Sequence, residues 1–122
     1  MNYTTAVERC ASYGATLASV HSAKQNAWMA EHLYNLAFWL GMSKIKGPNI
    51  PTTWDDGSRV DFNNWGPDEP RAGGEYCLKF DSRADLGYRG YWFAKPCAEI
   101  RRPVCQKPAT RGHAPPSLGF SH

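Results

Sequence analysis

Phe38-Trp39-Leu40-Gly41 marks the place where the chain changes character. Three large apolar residues ending on a glycine read as a short buried strand. Upstream of it the apolar residues recur at helical spacing. Met29, Leu33 and Leu36 form one stripe, with Lys24 and Glu31 elsewhere, as on an amphipathic surface helix. Ser22-Ala23-Lys24-Gln25 opens that helix as a capping box, in which serine and glutamine each satisfy an orphan donor at the helix start. Further back, Thr4 or Thr5 is placed to cap a first helix through Ala6, Val7 and Cys10, with Gly14 to stop it. Ala15 to Val20 reads as a short extended link between the two helices.

Downstream the helical period is gone. Lys46-Gly47-Pro48-Asn49-Ile50-Pro51 is loop by its glycine and proline content. Trp54 with Asp55-Asp56-Gly57 reads as a strand ending in a tight turn, and Val60, Phe62 and Trp65 are apolar positions in a polar setting. Gly66 to Gly74 is a long irregular loop. Glu75 to Phe80 alternates as a half-buried strand, with Cys77 on one face and Tyr76, Leu78 and Phe80 on the other. Gly90–Phe93 and Pro103–Gln106 complete the strands. Two helices followed by short strands around a long irregular insertion make an α+β domain. A loop of that length in so short a chain is usually functional. Residues 1–106 read as one domain, and residues 107–122, which lack periodicity, as a disordered tail.

Composition narrows the function. The chain has 122 residues, a hydrophobic fraction of 42% and an aromatic fraction of 13%, enough for one core. A net charge of +3, with no basic run interleaved with aromatics, does not suggest nucleic-acid binding. No apolar stretch approaches the roughly 18 residues of a membrane span, and the first residues show no signal peptide. Cys10, Cys77, Cys97 and Cys105 contain no C-x-x-C pair, which disfavours a zinc or redox motif and leaves three possible disulfide pairings. Four free thiols in a cytosolic protein is the other reading, but an even count in a small chain usually pairs outside the cytosol. The sequon Asn2-Tyr3-Thr4 leans the same way, towards a secreted or extracellular protein. Catalysis needs a convergent nucleophile, base and orienter. His21 precedes a helix cap, His32 lies on a helix without a motif, and His113 and His122 fall in the tail, so an enzyme is not expected.

In their order and spacing these segments resemble the C-type lectin family over positions 3 to 106. The resemblance rests on the helix with Cys10, Gly14-Ala15-Thr16-Leu17-Ala18-Ser19, the helix opening at Ser22, and Phe38-Trp39-Leu40-Gly41. It continues through Trp54-Asp55-Asp56-Gly57, Asn64-Trp65, Glu69-Pro70, Glu75-Tyr76-Cys77, Trp92 five residues before Cys97, and Cys105. It implies the disulfides Cys10–Cys105 and Cys77–Cys97. It also implies that the family's first strand, which pairs with the last, is missing. That points to a fragment of a longer secreted chain, or to an open edge near Val104.

The resemblance implies a binding module for a glycan or an extracellular protein, with no membrane insertion by this segment. Sugar-binding members hold calcium through Glu-Pro-Asn (or Gln-Pro-Asp) and Trp-Asn-Asp. Here those motifs read Glu69-Pro70-Arg71 and Trp92-Phe93-Ala94. Calcium takes about 6–8 oxygen ligands, and three of the side-chain donors are replaced, so no metal or other cofactor is expected. Glu69, Arg71, Glu75, Tyr91 and Phe93 are the candidate ligand-binding residues. Arg71 could bridge Glu69 and Glu75 where the ion is missing, or point into solvent. Tyr91 and Phe93 could form an aromatic platform, or one could be core and the other lone surface. Arg83, Arg89, Lys95, Arg101, Arg102 and Lys107 could meet sulfated or sialylated glycans, or be a solvated face.

Overall fold

The protein is described from a computed structural model covering residues 1–107, so the expected tail lies, but for Lys107, outside the described residues. Two helices, α1 (Tyr3–Ala11) and α2 (Ala23–His32), flank β1 (Thr16–Leu17). The remaining strands among the described residues are β2 (Ala37–Trp39), β3 (Cys77–Asp81), β4 (Tyr91–Lys95), β5 (Arg102–Pro103) and β6 (Cys105–Gln106), with a 3-10 turn at Ala84–Leu86. The main sheet has the order β4-β3-β2-β5, in which only β5 runs parallel to its neighbour, and β1 pairs with β6 in a separate ribbon. This is the expected α+β architecture with its irregular insertion between β2 and β3.

Local chemistry explains the helices and corrects some of their expected details. The cap of α1 is Asn2, not Thr4 or Thr5: its side chain accepts the Thr5 N–H at 2.9 Å, the bond that makes asparagine a preferred cap. Tyr3, Ala6 and Cys10 then fall on one buried face. Ser22 caps α2 by accepting the Gln25 N–H at 3.0 Å, while Gln25 reaches back to the His21 N–H and the Ser19 carbonyl. The stripe of α2 is shorter than its spacing suggests. Met29 and Leu33 are buried, but the helix stops at His32 and Leu36 is exposed.

Strand patterning holds in part. No strand forms at Trp54; the segment is a turn, closed by Gly57 N–H to the Trp54 carbonyl and Trp54 N–H to the Ser58 carbonyl. β3 is buried on both faces rather than half-buried. Leu78 and Phe80 enter the main core, while the Cys77–Cys97 disulfide and the side chains of β4 cover the other face. Gly41 is required by close approach: a Cβ there would stand 2.6 Å from the Leu17 carbonyl oxygen. Strand alternation sends Phe38 and Trp39 into two cores, Phe38 with Leu78 and Trp92, Trp39 with Tyr3 and Cys10 under α1.

Cys10–Cys105 ties α1 to β6, and Cys77–Cys97 ties β3 to the segment after β4. They close separations of 95 and 20 residues, worth about 3–5 kcal/mol each in the chain-entropy account. No strand precedes α1 among the described residues, yet the open edge expected at Val104 is absent. Its N–H donates to Trp39 at 3.2 Å and its carbonyl accepts from Ala18 at 2.8 Å. The chain's last strand is split there, β5 pairing with β2 and β6 with β1. Met1 and Arg101 also exchange backbone hydrogen bonds, at 2.9 and 3.0 Å.

Candidate functional site

β4 positions the site. It is one of the two edge strands of the main sheet, so its outward N–H groups need partners from elsewhere. The Trp92 N–H donates to the Asn64 carbonyl at 3.0 Å, and the Ala94 N–H donates to Glu69 Oε1 at 2.7 Å. Trp92 anchors the strand in the core. Trp54, Phe62 and Trp65 pack edge-on around its indole at 5.4, 5.8 and 5.6 Å, and its Nε1–H donates to the buried Asn26 Oδ1 at 2.8 Å. Asn26 in turn donates to the Gly90 carbonyl at 3.1 Å. With Trp92 inward, alternation turns Tyr91 and Phe93 to the opposite face.

On that face the candidate residues are brought together in part. Lys79 lies opposite Phe93, and Asp81 opposite Tyr91. The Lys79 ammonium sits 4.4 Å from the centre of the Phe93 ring and 2.9 Å from Asp81, whose carboxylate is shared with Arg83 at 2.6 Å. Burial, partly offset by Asp81, lowers the Lys79 pKa. For Asp81, burial works upwards, but hydrogen bonds from Arg83 and Lys79 outweigh it and leave the carboxyl below its ordinary value. Tyr91 and Phe93 are both half-buried, neither core nor lone surface. Tyr88 joins them, 6.1 Å from Tyr91 and 5.1 Å from Phe93. Phe93 also lies over Gly66, where a Cβ would come within 2.8 Å of the ring, so glycine there is what lets the loop lie against β4.

Arg71 does not bridge the two carboxylates, and among the described residues it has no ion pair with either. Its guanidinium lies over the Tyr76 ring, 5.5 Å from the centre, while Glu75 is exposed. The sequence marks Tyr76 only as a strand residue and gives Lys79 no role, although strand alternation places Lys79 on the same face as Cys77. Tyr88 lies in a loop and has no such signal.

A model of the lectin C-type domain matches residues 1–107. The chain belongs to that family. This lectin-like domain is 31% identical over 116 residues to the human low affinity immunoglobulin epsilon Fc receptor, covering 86% of the chain and 33% of the receptor. It thus spans about a third of that relative's length. Among solved structures it is similar to a calcium-independent type II antifreeze protein, at 25% identity and a TM-score of 0.70, covering 86% of this chain and 77% of that one. It shares its fold with the cow C-type carbohydrate-recognition domain of CD23 in the presence of GlcNAc2Man3 oligosaccharide, at 20% identity and a TM-score of 0.70, covering 86% and 78% of the two chains.

The basic residues of the lectin-like domain do not form one face. Arg83 is held by Asp81, and Arg101 by Glu99 and the Trp39 ring. Arg89 lines a groove of about 430 Å³ with Glu31, Tyr34 and Tyr88. Lys95 is half-buried, and Arg102 and Lys107 are exposed. No helix among the described residues is long and apolar enough to cross a membrane.

A second polar constellation gathers residues far apart in the sequence. His21 places Nδ1 2.7 Å from Asp61 Oδ1, and Nε2 3.0 Å from Ser19 Oγ and 3.2 Å from Ser58 Oγ. Carboxylate, imidazole and hydroxyl in that order are the parts of an activated nucleophile. Both hydroxyls, however, donate to Asp56, so neither offers its proton to the imidazole. The cluster ties the segment before α2 to the turn after Trp54.

Proposed function

We propose that this domain is an extracellular recognition module that binds carbohydrate without the family's calcium ion, using Glu69, Arg71, Glu75, Tyr91 and Phe93. The observation that carries the reading is the bond from the Ala94 N–H to Glu69 Oε1. One oxygen of the motif's remaining carboxylate is spent on the edge of β4. Phe93 and Ala94 supply no side-chain oxygen, and Arg71 lies on Tyr76. That donor set does not fit an ion that takes about 6–8 oxygens. The half-buried Tyr91–Tyr88–Phe93 cluster offers apolar ring faces of the kind on which a sugar can stack, and Glu75 and Arg71, exposed in the long loop, offer polar groups for hydroxyls.

A glycan array run with and without a calcium chelator tests this. Binding that survives the chelator and falls in Phe93→Ala supports it, and binding that appears only with calcium refutes it. The second reading is a calcium-independent protein-interaction domain, favoured by the identity to a receptor named for an immunoglobulin. An empty glycan array together with capture of a folded protein partner would select it. Neither reading involves catalysis, and both place the domain outside the cell.

A further inference from the structure

We propose that the cavity between the Ser43–Lys46 and Ile50–Gly57 segments is a second ligand site for an acidic saccharide, sulfated or carboxylated. It shares no lining residue with the Glu69–Phe93 face. Its volume is about 460 Å³, within the roughly 300–1,000 Å³ of small-ligand pockets.

The lining is mixed in charge. Lys44 and Lys46 are exposed on it and form no ion pair among the described residues. Two such ammonium groups, two positions apart in the chain, favour an anionic group. Asp55 adds an acceptor in a fixed position, held by the Tyr3 hydroxyl and by Ser43 Oγ at 2.9 Å. Burial, and then Asp55 itself, push the Tyr3 phenol above its ordinary pKa, so it stays a neutral donor. A ligand meeting both requirements carries an anion for the lysines and hydroxyl donors for the aspartate.

An independent observation lies in the same lining. Trp54 is 1% exposed and borders the cavity, and its buried Nε1–H has no acceptor among the described residues. An unmet buried donor is costly and uncommon in a folded protein. A ligand oxygen would meet it where the Trp54 turn, which lines the cavity, shifts to admit one.

The test is an NMR titration of the chain that follows the Trp54 indole N–H and the Lys44 and Lys46 amides. The probes are a heparin-derived tetrasaccharide, 3′-sialyllactose and, as a neutral control, lactose. We expect saturable shifts at all three positions with one or both acidic probes, and which probe acts separates sulfate from carboxylate. The Lys44→Ala, Lys46→Ala double variant, whose exposed side chains are not needed for folding, should bind at least about tenfold more weakly. Phe93→Ala should leave this binding unchanged, which keeps the result separate from the proposed glycan face. An unmoved Trp54 indole, an equal response to lactose, or full affinity in the double variant would overturn the proposal.

Discussion

Glu69 Oε1 and the Ala94 backbone N–H stand 2.7 Å apart, joining the long loop to the edge strand β4 of the main sheet. A carboxylate that satisfies an edge N–H cannot turn that lone pair to a metal without leaving the strand unpaired. On the proposed reading, millimolar calcium shifts neither the melting temperature nor any ligand affinity. A bound ion would stabilise the fold by mass action. Calorimetry that detected micromolar calcium binding would sink this expectation.

The same bond has a structural consequence. Glu69→Ala should cost about 1–3 kcal/mol by removing a charged acceptor from a partly buried N–H. Glu69→Gln keeps an acceptor oxygen and should recover more than half of the loss. Arg71→Asn, which removes only the contact with Tyr76, should cost about 1 kcal/mol or less and confer no calcium affinity. Urea unfolding of the three variants checks the order, and a loss in Arg71→Asn as large as in Glu69→Ala would contradict it.

The His21 cluster predicts an acid-labile stability. For Asp56, burial works to raise the pKa, but hydrogen bonds from Ser58 and Ser19 and the nearby His21 bring it below the ordinary 3.8. Asp61 is lowered first by its hydrogen bond with His21. A carboxyl whose folded pKa is depressed contributes stability above its unfolded pKa and loses it as pH falls through the folded value. Melting temperature should therefore be steady above about pH 5 and fall below about pH 4. The fall should be shallower in Asp56→Asn and Asp61→Asn, and an unchanged acid slope in both variants would remove the cluster from the explanation.

Asn26 is the core's polar pivot, 4% exposed, its amide oxygen accepting from the Trp92 indole and its amide nitrogen donating to the Gly90 carbonyl. Asn26→Ala leaves a buried indole N–H without its acceptor, and should cost roughly 2–4 kcal/mol. Asn26→Leu fills the space but not the bond, and should not recover the loss. Thermal unfolding monitored by tryptophan fluorescence decides it; a wild-type midpoint in either variant would show that water replaces the amide.

Much of the fold was legible because it depends on neighbours in sequence. Ser22 and Gln25 open α2 through bonds that span a few residues, and Phe38 to Gly41 carries a strand whose glycine fits against Leu17. The order of the cysteines and aromatic steps identified the family, with its two disulfides. What the residues alone could not decide was which long-range partner each polar group finds. Alternation predicted a half-buried β3, but the covering of its second face by Phe93 and Cys97 depends on how β4 folds back. Arg71 had two carboxylates close in sequence and settled on Tyr76, while Glu69 is engaged by Ala94, 25 positions away. From the sequence His21 is only the residue before a helix cap; its partners Ser58 and Asp61 are supplied when the turn after Trp54 closes against the segment before α2. Sequence patterns specify local backbone geometry and which faces are apolar, since both act over a few residues. The partners of polar side chains are set by contacts made only after the chain has folded, and those contacts determine the geometry of the site.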